Sequence, residues 1–127
     1  MLAPLVPVSH TSTRQVHTGR ATTFGRASSD PTNSNDHLAC ARRVEGSVRS
    51  VDPEKFEVAL PAWKAGCGAW VQIYLPRTGR SVKARVMDRG PRRAMTREDP
   101  DAIDTTEAVR KAVGFTGSEN VLWWIVK

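Results

Sequence analysis

A hairpin pattern in the middle of the chain constrains the fold more than any other feature. Residues 69–75 (AWVQIYL) are rich in strand formers and end at a proline, while residues 81–87 (SVKARVM) alternate polar and apolar side chains. The segment between them, residues 77–80 (RTGR), has the composition of a turn. We therefore expect two antiparallel strands here, the second of which runs directly into Asp88.

The rest of the chain predicts four more short strands and one helix. Residues 105–113 begin with two threonines, carry an early glutamate and late cations, and are followed by Gly114, which together are start and stop signals of a helix. The four strands are expected at residues 19–24, 44–51, 56–60 and 120–126. Six short strands and one helix predict a mainly β protein that folds as a small closed barrel.

Chain length and the first residues set the expected domain organisation. A chain of 127 residues suffices for one modest core, and no apolar run approaches the roughly 18 residues of a membrane span. Residues 1–18 contain Pro, Ser, Thr and His without periodicity, so we expect an extended N-terminal arm before a barrel domain at residues 19–127. The apolar run at residues 2–8 is broken by proline and lacks a basic segment, so no signal peptide is predicted. Residues 25–36 have loop composition.

The charge balance is basic, and arginine dominates it. The chain has 19 Lys and Arg against 13 Asp and Glu, a net charge of +6, and 14 of the cations are arginine. An acidic polymer is one class of partner that fits this balance, although a soluble protein with positive net charge has the same composition. Nucleic acid is not the expected partner, because the Arg92-Arg93 pair lacks interleaved aromatic residues.

Cys40 and Cys67 are the two cysteines, and they leave two possibilities open. Two thiols can form one disulfide, which would stabilise a small β domain in an oxidising compartment, or both can fill apolar space separately. Neither belongs to a C-x-x-C motif or has a histidine at ligand spacing. We therefore expect no metal site and no cofactor.

Two aspartates at the ends of ordered elements are the candidate reactive groups. Asp88 ends the hairpin in the sequence Asp-Arg-Gly-Pro, and Asp104 precedes the predicted helix. A pair of carboxylates is the basis of acid and base chemistry on a glycan. Alternatively, an ion pair between Arg89 and one of the aspartates would make the pair structural, because bidentate arginine contacts hold turns in place.

The order of these motifs resembles the rare lipoprotein A-like double-psi β-barrel family, which is related to the barrel domain of expansins and to some lytic transglycosylases. The resemblance covers about residues 19–127. It rests on motifs that follow one another in the family's order: Gly19-x-Ala21-Thr22, Cys67-Gly68, Gly79-Arg80-Ser81-Val82, Asp88-Arg89-Gly90-Pro91 and Ile103-Asp104. The fold that it implies is a six-stranded double-psi β-barrel with a shallow groove across it.

The resemblance also implies roles for particular residues. Asp88 would act as acid and base in a lytic transglycosylase that cleaves peptidoglycan strands and closes a 1,6-anhydro ring, with Asp104 as its electrostatic partner. Thr22 is similar to a groove threonine of expansin-like barrels, and Arg89 and Trp63 would contact the substrate. Trp63 is the stacking candidate because the other three tryptophans lie inside strand patterns. Such a protein would work in the cell envelope or outside the cell.

One departure from the family pattern leaves the activity open. Catalytic members often carry a histidine near the position of Ala62, whereas the three histidines here are His10, His17 and His37. The chain is therefore expected to be either an enzyme of this kind or a protein that only binds glycan. A structural subunit of a larger assembly, such as a phage tail or virion, is the alternative, in which the N-terminal arm would contact other subunits.

Overall fold

Six strands close into one barrel in the computed structural model, which describes residues 15–25 and 37–127. The order of strands around the barrel is β1-β5-β2-β4-β3-β6. The strands are β1 (His17–Thr23), β2 (Glu57–Ala59), β3 (Trp70–Leu75), β4 (Arg80–Asp88), β5 (Ile103–Thr105) and β6 (Glu119–Val126). The described residues also form the helices α1 (Ala41–Glu45), α2 (Arg93–Glu98) and α3 (Glu107–Val113). The predicted mainly β barrel is confirmed.

The hairpin predicted in the middle of the chain forms two neighbouring strands of this barrel. β3 and β4 pair antiparallel from Trp70 opposite Arg85 to Leu75 opposite Arg80. On its other side β3 pairs with β6, which pairs in turn with β1. Alternate side chains of β3 point into the barrel, since Val71, Ile73 and Leu75 are fully buried.

The barrel interior is one continuous apolar core, which aliphatic side chains from all six strands and from α3 fill. Its largest buried side chain is Trp123, whose indole Nε1 donates a hydrogen bond to the carbonyl oxygen of Asp101 at 2.8 Å. This bond satisfies the one polar atom of the ring and fixes the loop before β5 against the barrel.

The strand expected at residues 44–51 is wrong. Residues 41–45 form α1, which ends at Gly46 with a φ of 89°, and Ser50 forms only an isolated bridge with His37. Val44 packs beside Ala41 in a small satellite core under the outer side of β4, so its apolar side chain serves helix packing. The sixth strand is instead β5, whose three residues are too few to show an alternating pattern.

The helix predicted at residues 105–113 is α3, and it begins two residues later. Thr106 stands at its N-cap, but its hydroxyl does not cap the helix. That hydroxyl donates to the carbonyl oxygen of Lys55 and accepts from the N–H of Glu57, so it joins the helix start to β2. Gly114 ends the helix in the left-handed conformation, with a φ of 94°, as expected.

Two further differences concern the charged segment and the N-terminal arm. The charged segment after Asp88 contains α2, so three helices are present among the described residues where one was expected. β1 begins at His17, two residues inside the predicted arm, while residues 1–14 of the arm and 26–36 of the expected loop lie outside the described residues. The alternative hypothesis, in which the protein is a subunit of a larger assembly, involves that arm and stays a prediction.

No helix in the described part of the chain is long and apolar enough to cross a bilayer.

Candidate functional site

Strand register brings the two aspartates into one line across the barrel. Thr22 of β1 pairs with Asp104 of β5, and Ala59 of β2 pairs with Asp104 on one side and Asp88 on the other. Paired residues lie on the same face of a sheet, so these four residues form a row across four neighbouring strands. We call Thr22, Asp104, Ala59 and Asp88 the aspartate row. Strands lie about 4.8 Å apart, which puts the Cα atoms of the aspartates roughly 10 Å apart.

An irregularity in β4 determines which face Asp88 occupies. Val58 pairs with Val86, but the next residue, Ala59, pairs with Asp88 rather than Met87. Successive side chains alternate between faces, so this bulge puts Asp88 on the same face as Ala59. Met87 is left to pack in the satellite core with Leu38.

Asp104 lies in an environment that favours its protonated form. Burial raises the pKa of this carboxyl, and the negative charge of Asp88 raises it further. The hydroxyl of Thr22, which donates to Asp104 Oδ1, and the positive charge of Arg92 oppose the shift. The net pKa is raised above the ordinary value of an aspartate, so Asp104 can carry a proton at higher pH than an exposed carboxyl.

The turn after β4 passes close over the row at Gly90. A Cβ atom built at Gly90 would lie 3.2 Å from Asp104 Oδ2 and 3.6 Å from the Cβ of Ala59. The backbone φ of Gly90 is 154°, a conformation that side chains rarely adopt. Glycine therefore lets the Asp-Arg-Gly-Pro turn approach the carboxyl without contacting it through a side chain.

A backbone N–H group holds the carboxylate of Asp88 in place. Its Oδ1 accepts a hydrogen bond from the N–H of Ala39 at 2.8 Å. Among the described residues, no lysine or arginine forms an ion pair with Asp88 or Asp104. The alternative in which Arg89 forms a bidentate ion pair with one of the aspartates is therefore not met, because the guanidinium of Arg89 has other partners.

Arg89 instead supports the turn that follows β2. Its Nη1 donates to the carbonyl oxygens of Leu60 at 3.2 Å and Ala65 at 2.6 Å, and its Nη2 lies 3.3 Å from Cys67 Sγ. These contacts commit the guanidinium to the segment 61–67, so its predicted contact with substrate stays a prediction.

The two cysteines are joined in a disulfide rather than buried as separate thiols. Cys40 and Cys67 have Cα atoms 5.4 Å apart and are 27 residues apart in the sequence. The bond connects the start of α1 to the residues just before β3. Together with Arg89 it ties the segment 61–67 to the barrel from two sides.

Trp63 projects from that segment into solvent. Its side chain is 73% exposed, while the neighbouring Lys64 forms an ion pair with Asp101. Trp70 lies in β3, in agreement with the strand pattern, but its side chain is 40% exposed on the outer face. Lys83 Nζ lies 5.3 Å and the Arg85 guanidinium 5.2 Å from the centroid of its ring. The alternation of β3 predicts this exposure, since Trp70 precedes the inward-facing Val71.

The described histidines have partners outside the aspartate row. His17 stacks on Trp123 with ring centroids 4.1 Å apart, and its Nδ1 is 3.3 Å from Asp101 Oδ1. Burial would raise the pKa of Asp101, but Lys64 and His17 outweigh it, and the net pKa is lowered. His37 is exposed in its bridge to Ser50, and His10 lies outside the described residues.

Within residues 15–25 and 37–127, no cluster of three or more potential metal ligands is found.

A pocket that sequence reasoning did not predict lies between α2 and the strands β1 and β6. Its volume is about 690 Å³. We call it the α2 pocket; it is lined by Arg20, Arg92, Ala94, Met95, Glu98, Asp99 and Asn120. The only signal in the sequence was the unusual charge of the segment between Asp88 and Asp104.

Comparison with solved structures identifies the fold. A papain inhibitor from Streptomyces has a TM-score of 0.61 and 20% identity, and the match covers 89% of this chain and 96% of the inhibitor. An expansin of Clavibacter michiganensis has a TM-score of 0.60 and 20% identity over 89% of this chain. The protein has the double-psi β-barrel fold. The double-psi barrel described here spans about half of that expansin, 51% of its chain.

A third double-psi barrel is similar over nearly its whole length. Cerato-platanin 3 from M. perniciosa has a TM-score of 0.55 and 14% identity, with 87% of this chain and 94% of that chain covered. No family model matches the sequence, and no curated protein matches it. At these identities the likeness establishes the barrel fold, and the function has to be argued from the site.

Proposed function

We propose that this protein is a cell-wall barrel that binds a peptidoglycan strand across the aspartate row and cleaves it as a lytic transglycosylase does. The observation that carries the proposal is the state of Asp104, a partly buried carboxyl with a raised pKa beside a second carboxyl that no described cation neutralises. A carboxyl group with a raised pKa close to a second carboxyl group is the usual arrangement for acid and base catalysis on a glycosidic bond. The protein would act in the cell envelope or outside the cell.

The environments of the two aspartates favour roles opposite to those first expected. Asp104 would be the general acid, since its pKa is raised, and Asp88 would be the charged partner that helps to raise it. Thr22 would orient the Asp104 carboxyl through its hydrogen bond. The likeness of the fold to expansin supports a polysaccharide as the ligand but does not distinguish cleavage from binding.

The chemical step would move one proton out and one proton back. Asp104 would protonate the oxygen that bridges N-acetylmuramic acid and N-acetylglucosamine, and the bond from that oxygen to C1 of the muramic acid would break. The C6 hydroxyl of the same sugar would bond to C1 and close a 1,6-anhydro ring. Its proton would pass to the Asp104 carboxylate, which restores the acid without consuming water.

The test is product analysis on purified peptidoglycan sacculi. The wild-type protein should release 1,6-anhydromuropeptides that mass spectrometry detects, and Asp104→Asn should release at least about a hundredfold less, as expected for loss of a general acid. Asp52→Asn, which changes a carboxyl outside the row, is the matched control and should retain activity. Absence of anhydro product from the wild-type protein, or equal product from Asp104→Asn, would contradict the enzymatic proposal.

A binding assay separates cleavage from recognition. If the wild-type protein sediments with sacculi but forms no product, and Asp104→Ala abolishes sedimentation, the row binds glycan without cleaving it. If the wild-type protein does not sediment with sacculi at all, the glycan proposal is wrong in both forms.

Inhibition of a papain-like protease is a second candidate, which the mutual coverage of 89% and 96% with the Streptomyces papain inhibitor favours. Segment 61–67 has the properties of an inhibitory loop, because it presents an exposed Trp63 on a backbone held by Arg89 and the disulfide. A preorganised loop loses little conformational entropy when it binds. Titration of papain with the protein tests this. Trp63→Ala should abolish inhibition, whereas Phe56→Ala, another exposed apolar residue, should not.

A further inference from the structure

The α2 pocket contains charged side chains of both signs that do not pair with one another. Arg20, Arg92 and Glu98 line it, and within the described ranges none of these three side chains forms a hydrogen bond or an ion pair. Asp99 is the exception, because its Oδ2 accepts the backbone N–H of Arg20 at 2.7 Å. Three charged groups thus face one cleft with their hydrogen-bonding capacity available to a ligand.

The pocket adjoins the Thr22 end of the aspartate row. Arg20 precedes Thr22 by two residues on β1, so both side chains lie on the outer face of that strand. Arg92 lies close enough to Asp104 for its charge to act on that carboxyl. A polymer lying along the row would therefore carry its substituents into the pocket.

We propose that the α2 pocket binds a short peptide branch of the glycan, one that carries carboxylate groups and an ammonium group. Arg20 and Arg92 would take the carboxylates, for which a planar guanidinium provides two parallel donors. Glu98 would take the ammonium group, and Met95 and Ala94 would contact the aliphatic part of the peptide. The inference rests on the proposed function and adds that the peptide, as well as the sugar chain, is recognised.

The size and the mixed lining of the pocket select this class of ligand. A volume of about 690 Å³ is in the range of sites for small organic ligands and exceeds what a single carboxylate needs. A purely anionic ligand would be repelled by Glu98 and Asp99, and a neutral sugar would leave the arginines without partners. A zwitterionic peptide satisfies both signs of charge.

Cosedimentation with two preparations of the same sacculi tests the proposal. Both preparations are attached to beads through their glycan chains, because the peptide branches hold a sacculus together. One is left intact, and the other is then stripped of its peptide branches with an amidase. The wild-type protein should bind the stripped sacculi about tenfold more weakly, the loss expected when a charge-assisted contact is removed.

Two double variants test whether the arginines of the α2 pocket cause this difference in binding. Arg20→Gln with Arg92→Gln should weaken binding to intact sacculi about tenfold, but should weaken binding to stripped sacculi no more than a control pair that removes the same charge elsewhere. Arg42→Gln with Arg43→Gln is the matched control, since it removes the same charge from exposed positions on α1. Glu98→Gln should weaken binding to intact sacculi by a smaller factor. Thermal melting of each variant verifies that the barrel is folded.

The outcomes distinguish this inference from the proposed function. Equal binding of the wild-type protein to both preparations overturns the peptide site and leaves glycan recognition standing. Equal weakening by the pocket pair and the control pair also overturns it, because net charge alone would then explain the loss. Failure to bind either preparation contradicts the proposed function itself.

Discussion

At the scale of single residues, Asp104 shows how burial and neighbouring charge compete at one carboxyl. Burial and Asp88 favour its protonated form, whereas Thr22 and Arg92 favour its charged form, and the first pair prevails. The opposite result at Asp101, where Lys64 and His17 prevail over burial, shows that partial burial alone does not determine the direction.

The raised pKa of Asp104 predicts a pH-dependent cost to stability. Its folded pKa lies above the unfolded value, so between the two values the native chain binds more protons. Stability from this group is therefore lost as the pH rises through that window. We expect Asp104→Asn to gain stability relative to the wild-type protein as the pH rises from 3 to 7, measured by urea unfolding at each pH. A difference that is constant with pH would contradict this.

Asp101→Asn provides a control of opposite sign. The folded pKa of Asp101 is lowered, so its contribution to stability is present above the unfolded pKa and is lost as the pH falls. This variant should be less stable than the wild-type protein at pH 7, and the difference should shrink towards pH 3.

Position 19 requires glycine because the backbone of Asp101 passes very close to it, and not because of an unusual backbone conformation. A Cβ atom there would lie 1.9 Å from the carbonyl oxygen of Asp101. We expect Gly19→Ala to lower the free energy of unfolding by about 2 kcal/mol or more, because the loop before β5 would have to move off β1. Gly66→Ala, where a Cβ meets open space, should have little effect in the same denaturation experiment.

At the scale of elements, the segment 61–67 depends on contacts distant in the sequence. The disulfide to Cys40, the carbonyl contacts of Arg89 and the ion pair of Lys64 with Asp101 hold it from three directions. These contacts therefore present the exposed Trp63 side chain on a backbone that is held in place.

Removal of the disulfide should lower stability without changing the fold. Cys40→Ala with Cys67→Ala should cost about 3 kcal/mol, the amount expected for a loop of this size. Calorimetry of the variant and of the reduced wild-type protein should show similar decreases in Tm. A decrease seen with only one of the two would contradict the explanation.

At the scale of the whole molecule, the net charge of +6 predicts long-range attraction to an acidic polymer, which the proposed ligand would be. Raising the salt concentration from 0.05 M to 0.5 M should weaken binding to sacculi roughly tenfold, because the screening length falls to a few ångströms. Binding to a neutral polysaccharide such as cellulose should not depend on salt in this way. Cosedimentation at several salt concentrations measures both.

Local sequence patterns determined the hairpin, the terminal strand and the main helix. In those elements an alternating or helical spacing of apolar side chains reports directly which face is buried, and Gly114 marks the helix end. The same patterns failed at residues 44–51, where Val44 is apolar because a helix packs there, and at β5, which is too short to carry a period.

Only the tertiary structure decided the arrangement of the candidate site. The sequence by itself determined that Asp88 ends the hairpin, that Asp104 precedes the main helix and that a small barrel forms around the hairpin. The aspartate row depends on closure of the barrel, which pairs Thr22 with Asp104, 82 positions later in the sequence. It also depends on the bulge in β4, which puts Asp88 on the same face as the rest of the row. The pKa of Asp104 and the partners of Arg89 depend on burial and distance, and these exist only once the strands have closed.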